Sequence, residues 1–325
     1  MELTEPFIFD PDAPSAFVAM MDKAVPEHVR AEFASYIKQY SDLTTWHIFS
    51  DYCIGNSDYP NDVLVFTTFP EHHHEMVLAC IKDSLPADLK KRSDIDDKAI
   101  EFLKHRSLFT FAFALDKKPR FLPTVEIARK VIDEILESLM NGPNSKTPTN
   151  LGLVAKMRHL KEQAKAKNFN LSLFNRVYMA VVFASYITLL FARNTKLEIV
   201  YWIGDRDTLH DSWNGLCYTV FHGMSYTYMN DEGFPLVRVR FPSPEADFEA
   251  TFDPYTRIPD HFAGPLAHLD LSSQIIHAKS PKYERILKKV LAGNPRFSFA
   301  SISFRTEKPW LTMVEIRQGP PPRVS

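Results

Sequence analysis

Glycine is scarce in this chain: there are ten in 325 residues, and none fall in G-x-G-x-x-G or G-x-x-x-x-G-K-[ST] spacing. Phosphate cradles of those kinds need glycine where the backbone approaches the ligand, so neither a dinucleotide fold nor a P-loop is expected. Cysteine is scarcer still. Cys53, Cys80 and Cys217 lie far apart and form no C-x-x-C pair. That argues against a disulfide framework and a structural zinc site, and suits a reducing cytosol. An excess of one charge is also missing. Lys and Arg number 38 against 40 Asp and Glu, a formal net charge of −2. No whole-molecule field attracts nucleic acid, so any such binding needs a local basic surface.

An apolar run free of polar residues and of full membrane-spanning length is missing too. The opening M-E-L-T-E-P has no apolar stretch of signal-peptide type, so a cytoplasmic location is expected. The strongest apolar segment, residues 177–192, reads V-Y-M-A-V-V-F-A-S-Y-I-T-L-L-F-A between Arg176 and Arg193. Sixteen helical residues rise about 24 Å, short of a ~30 Å hydrocarbon core. Two Tyr, a Ser and a Thr interrupt the run. The segment is expected to be a helix buried against a sheet, not a membrane span.

What the chain does contain is aromatic and apolar mass: 45% hydrophobic and 13% aromatic residues, enough to fill a substantial core. Residues 1–43 read as a helical lead-in. T-T-W-H-I-F-S-D-Y, V-L-V-F-T-T-F and S-L-F-T-F-A-F-A-L read as three strands, the first two forming a hairpin with a wide loop. A helical insertion, broken at Pro86, occupies 71–105. Pro123 and Thr124 open a helix that stops at Asn141-Gly142-Pro143, and two helices near 149–167 and 171–193 precede a strand at 197–203. The chain is then expected to be helical to about 220, with a short strand P-L-V-R-V-R-F and a helix opening near Pro259. A C-terminal hairpin over 297–317 turns at T-E-K-P. The fold class is therefore α/β, a mixed sheet opened by an antiparallel meander, with 44–325 as a single domain.

Two motif matches fail on inspection. Gly223-Met224-Ser225-Tyr226-Thr227 lacks the closing glycine of a nucleophile elbow. His72-His73-His74-Glu75 does not continue to H-E-x-x-H, since Leu78 stands where the second histidine is needed. Consecutive histidines diverge on a helix, so a solvated helix start is the better reading.

The carboxylates are more coherent. Asp51 closes the first strand, and Asp205 and Asp207 follow the apolar run L-E-I-V-Y-W-I-G around Arg206. Glu126 lies in the first turn of the helix after the third strand. Asp260 is expected at the start of a later helix, with Ala263, Gly264 and Ala267 on its face allowing close approach to a sheet. Parallel pairing of 45–52 with 197–203 would bring Asp51 and Asp205 to one edge. Hard cations such as Mg²⁺ or Mn²⁺ need carboxylate oxygens converging from separate elements. The plainer reading is also available, because Asp is common in turns after strands and acids are favoured in first helical turns.

This order of elements resembles the ribonuclease H-like fold. The segment I-P-D-H-F-A-G-P-L-A-H-L-D-L, with Lys282-Tyr283 beyond it, is similar to the late helix of a bacterial family of uncharacterised ribonuclease H-like proteins. The resemblance covers about 45–290. It implies Asp51, Asp205 and Asp260 as holders of Mg²⁺ or Mn²⁺, with Asp207 and Glu126 as further catalytic acids. The chain departs from the family in having Tyr52-Cys53 where an acid and a serine follow the first-strand acid. The function implied is a metal-dependent phosphodiesterase, a nuclease on DNA or RNA, with Arg206, Arg238 and Arg240 meeting phosphates. The arginines also suit a solvated strand edge that discourages pairing. The alternative is a non-catalytic binding or regulatory protein on the same fold, for example a component of a bacterial defence or toxin system.

Overall fold

The alternating segments of the sequence meet in one mixed sheet. A computed structural model describes residues 7–8, 14–115, 117, 121–142, 145–204, 208–235, 237–240, 248–271, 280–303 and 310–313. Among these the strands are β1 (Phe7–Ile8), β2 (Thr45–Cys53), β3 (Asp62–Pro70), β4 (Phe109–Leu115), β5 (Ile199–Gly204), β6 (Arg238–Arg240), β7 (Phe297–Ser303) and β8 (Trp310–Met313). Their order across the sheet is β1-β8-β7-β4-β3-β2-β5-β6. The first three long strands form the antiparallel meander that their spacing suggests. β5 lies parallel to β2, with Thr45 level with Ile199 and Ser50 level with Gly204, as expected of two apolar runs sharing an edge. β6 is parallel to β5, β7 is parallel to β4, and β7 and β8 pair antiparallel. The proposed hairpin turn lies outside the described residues.

Strands buried on both faces need helices on both. One face carries α1 (Pro14–Ala24), α2 (Glu27–Lys38), α5 (Val125–Asn141), α6 (Pro148–Gln163), α7 (Leu171–Asn194) and α8 (Thr208–Asp231). The other carries α3 (His74–Ser84), α4 (Asp97–Leu103), α9 (Phe248–Ala267) and α10 (Pro281–Ile286), which continues as a π turn over Leu287–Leu291. The N-terminal helices share the first core, where Phe33 packs edge-on to Phe109 and Phe111.

α7 is the apolar segment of the sequence. Asn170 caps it, its side chain accepting from Leu173 N at 3.1 Å. The helix is long and apolar enough to cross a membrane, with mean hydropathy 1.5, yet 89% of its apolar window is buried inside the protein. It is a core helix. α8 runs along it to Asp231, well beyond the expected end near 220, and Ser225 sits mid-helix, buried, 3.3 Å from Ser185 Oγ. The nucleophile-elbow match thus lacks its strand-to-helix turn.

α9 begins at Phe248, not near Pro259, so Asp260 stands inside a helix rather than in its first turn. Proline signals misplace this boundary because Pro254, Pro259 and Pro265 all lie within the helix. Each lacks an N–H and leaves a carbonyl one turn back without its helical donor. The cost is tolerated because tertiary packing holds the helix down. Phe49 stacks on Tyr255 at 4.8 Å, while Ile258, Phe262, Ala263, Leu266 and Ala267 are buried on the sheet.

Candidate functional site at the end of strand β2

In β2, residues 46, 48 and 50 face the α7 side, while 47, 49 and 51 face α9. Asp51 is thus the first carboxylate beyond the buried rings of His47 and Phe49. The strand is fixed from behind: Trp202 Nε1 donates to Ser50 Oγ at 2.9 Å, and the Ser50 and Tyr52 hydroxyls are 2.6 Å apart.

α9 runs along β2 in the same direction. Phe252 lies against His47 at 5.2 Å. From there Asp260 is eight helical residues on, a rise of about 12 Å, and Asp51 is four strand residues on, about 13 Å. The two carboxylates therefore come level. The far end of α9 is tied to the same edge, where Asn61 Nδ2 donates to the carbonyls of Leu266 (3.2 Å) and Leu269 (2.6 Å).

Electrostatics draw the site's outline. Asp51 and Asp260 both act on the Cys53 thiol and on the Lys90 ammonium. Burial, followed by the charge of Asp51, pushes Cys53 up to about 11, so the thiol stays protonated and is a poor nucleophile at neutral pH. Burial works to lower the pKa of Lys90, but Asp260 and Asp51 outweigh it and the net shift is upward. Tyr283 is raised by burial first, then by Tyr59 and Asp260. Tyr283 also faces α9, since a Cβ on Gly264 would meet its hydroxyl at 3.3 Å. The His268 ring lies between Tyr59 (4.3 Å) and Tyr283 (5.0 Å). Gly264 thus serves the α9–α10 contact, while Ala263 and Ala267 face the sheet.

The remaining sequence candidates divide. β5 ends at Gly204, level with Ser50, so the chain leaves the sheet at the edge where Asp51 stands. Asp205, Arg206 and Asp207 lie outside the described residues. Glu126 is not brought to the pair. It is exposed at the start of α5, on the opposite face of the sheet, and its pKa is lowered by its own backbone N–H and the Thr124 hydroxyl. First-turn acids serve helix N-termini in this way. Arg238 and Arg240 are also displaced. They pair with Ile199 and Tyr201, at the level of Thr45 and His47. Asp51 is four residues past His47, about 13 Å further along the strand direction. The arginines form an exposed sheet edge, the role edge charges commonly have.

Lys90, Cys53, Tyr59 and Tyr283 are members that sequence reasoning missed or left without a role. Only Lys282-Tyr283 carried a signal, as part of the family resemblance. The triple histidine splits. His73 caps α3 in a left-handed conformation (φ 48°), while His74 turns inward, its Nδ1 3.0 Å from the Tyr255 hydroxyl. Among the described residues no three or more His, Cys, Asp or Glu side chains are grouped to hold a metal.

An open groove of about 640 Å³ lies beyond the turn that carries Lys90, with Arg92, Asp94, Asp97 and Arg285 on its walls. Arg285 pairs with Asp97 at 2.6 Å and with Asp94 at 3.3 Å. Arg285, Asp94 and Asp97 are thus committed to one another. Comparison with protein-family models, with curated proteins and with solved structures finds no match.

Proposed function

We propose that the protein is a metal-dependent phosphodiesterase with a ribonuclease H-like core, a nuclease acting on DNA or RNA. The observation that carries this reading is the convergence of Asp51 and Asp260 from distant parts of the chain on one partly open edge. The strand order β4-β3-β2-β5-β6 supports it, with the acidic strand central, its meander on one side and parallel strands on the other. The family resemblance implies that arrangement.

The donors suit a hard cation. Two carboxylates with part of their surface open can hold Mg²⁺ or Mn²⁺ that keeps several of its waters, which is the habit of Mg²⁺. When bound, such a cation supplies Lewis-acid stabilisation of phosphodiester oxygens and a more acidic water. The chain's own residues do the rest. Asp51, fixed by the Ser50–Trp202 tie, and Asp260, fixed by α9, orient the cation. Without metal, burial and the charge of Asp51 keep the Cys53 thiol protonated. Among the described residues Lys90 is the cation on which both carboxylates act, and it takes over the phosphate-facing role first assigned to Arg238 and Arg240.

One observation favours the second reading, a non-catalytic binding or regulatory protein such as a component of a bacterial defence or toxin system. Asp260 and Asp51 both raise the Lys90 pKa, so that ammonium already offsets part of their charge. A cleavage assay separates the two readings. Single- and double-stranded DNA and RNA are incubated with Mg²⁺ or Mn²⁺, and wild type is expected to cut at least one. Asp260→Asn should lose at least the ~10–100-fold typical of even outer-shell metal partners. Its metal-free stability should be nearly unchanged or raised, since removing one of two like charges relieves their repulsion. No cutting by wild type with either metal, or full activity in Asp260→Asn, overturns the nuclease reading.

A further inference from the structure

The loop that leaves β2 is shaped around an arginine that reaches it from the layer of helices behind the sheet. Gly55 has φ 81°, a left-handed conformation that glycine adopts at little cost. Its N–H donates to Asp62 Oδ1 at 2.9 Å, and Asp58 N donates to Asn56 Oδ1 at 2.9 Å, so the loop is ordered by its own side chains. The Arg176 guanidinium lies against Gly55, where a Cβ would stand 2.4 Å from Nη2 and 2.9 Å from Cζ. The space that a side chain would fill is the space the guanidinium uses. Arg176 belongs to the second turn of α7, which is pinned to this edge beside it. Leu122 N donates to Asn175 Oδ1 at 2.7 Å, and Asn175 Nδ2 donates back to the Leu122 carbonyl at 2.9 Å. Lys117, just beyond the end of β4, comes to the same loop, its Nζ donating to the Asn56 carbonyl at 2.6 Å.

What Arg176 lacks is an acceptor. It is only partly exposed, yet among the described residues no carboxylate or carbonyl oxygen accepts from its five N–H donors. Arg193, half-buried on the same helix, is satisfied by contrast, donating to both Asp22 and Glu232. Withdrawing a guanidinium from water without a partner is unfavourable, and proteins keep such local costs chiefly at functional sites. The planar fork of donors fits the paired oxygens of a phosphate. Gly55 follows Asp51 by four residues, at most about 13 Å of extended chain. Asp51 faces α9 and Arg176 comes from the α7 side. A nucleic-acid strand crossing the end of the sheet at Asp51 therefore meets the guanidinium on its way over the loop.

We propose that Arg176, seated on Gly55 with Lys117 beside it, holds a backbone phosphate of the nucleic-acid substrate to one side of the bond that is cut. The proposal rests on the nuclease reading above and deepens it. Such a contact fixes the strand's position and carries no sequence information. It also supplies the local cations that a chain of net charge −2 needs for capture. Because the guanidinium has its acceptor only when substrate is bound, removing it should act in opposite directions on binding and on stability.

The test is fluorescence anisotropy of labelled single-stranded DNA and RNA oligonucleotides in EDTA, over a range of salt, with wild type, Arg176→Met and Arg176→Lys. Melting curves are taken for each protein. Arg176→Met should bind about tenfold more weakly, as expected for one lost contact to a charged group. Its slope of log affinity against log salt should shrink by about 0.7, the value for one phosphate on a single strand. Its melting temperature should equal or exceed that of wild type, since a half-buried charge without a partner is gone. Arg176→Lys should keep most of the salt slope. Unchanged affinity and slope in Arg176→Met overturns the inference and leaves the nuclease reading standing. A melting temperature that falls along with the affinity marks a structural arginine and overturns it too. Displacement of the oligonucleotide by an equal concentration of a mononucleotide would assign the site to a small phosphate ligand and overturn the substrate role. No binding by wild type to either oligonucleotide likewise overturns it. Binding that depends on Arg176, with no cleavage by wild type in Mg²⁺ or Mn²⁺, overturns the nuclease reading and leaves the phosphate site in place.

Discussion

At the scale of single residues, burial decides which groups are available for chemistry and which constrain the protein's pH range. His47 is 3% exposed and His261 fully buried, and each has an Nε2 without a hydrogen-bond partner. Burial, reinforced by the neighbouring His74, pushes His47 down to about 3. Burial likewise pushes His261 down to about 4, although its bond to the Arg257 carbonyl opposes the shift. In the unfolded chain both titrate near 6.5. Between those limits the unfolded state binds more protons, so stability falls as pH falls below about 6.5. At pH 5 each buried histidine should cost about 2 kcal/mol relative to pH 7. Denaturant melts at pH 7 and pH 5 check this. Wild type should lose stability, and His47→Phe should remove part of the loss. A pH-independent midpoint over that range would contradict the burial of these imidazoles.

At the scale of elements, the contact between α9 and α10 is the packing decision on which the site depends. Gly264 leaves room for the Tyr283 hydroxyl, which a Cβ would approach to 3.3 Å. Alanine should be close to neutral, since the better helix propensity offsets a small displacement of the ring. Leucine extends further into a buried tyrosine and should cost about 1–3 kcal/mol as overpacking. Thermal melts of Gly264→Ala and Gly264→Leu test it, and a leucine variant as stable as wild type would contradict the contact. The same helix marks the limit of what the sequence made legible. The β2–β5 pairing followed from two apolar runs with matched ends, and Asp51 and Asp260 were both named. The start of α9 was not legible, because three prolines that normally end helices are here overridden by aromatic packing against β2. Glu126 looked equivalent to the other acids because edge position along a strand can be read from order, whereas the face a following helix takes cannot. Lys90 gave no periodic or motif signal at all. The place of its turn depends on Lys282, nearly two hundred residues away, gathering the carbonyls there.

At the scale of the whole molecule, a near-neutral protein of three layers has one edge where carboxylates from a central strand and a late helix meet. With a net charge of −2 there is no general attraction for nucleic acid, so substrate capture falls to local groups around that edge. The account stands or falls on whether Asp51 and Asp260 hold a divalent ion together. The most direct measurement is an anomalous difference map from crystals soaked in Mn²⁺, with wild type and Asp260→Asn compared. The predicted result is a peak between the two carboxylates in wild type, and loss of that peak in Asp260→Asn. Wild-type crystals with no peak there, or with Mn²⁺ bound only elsewhere, would contradict it.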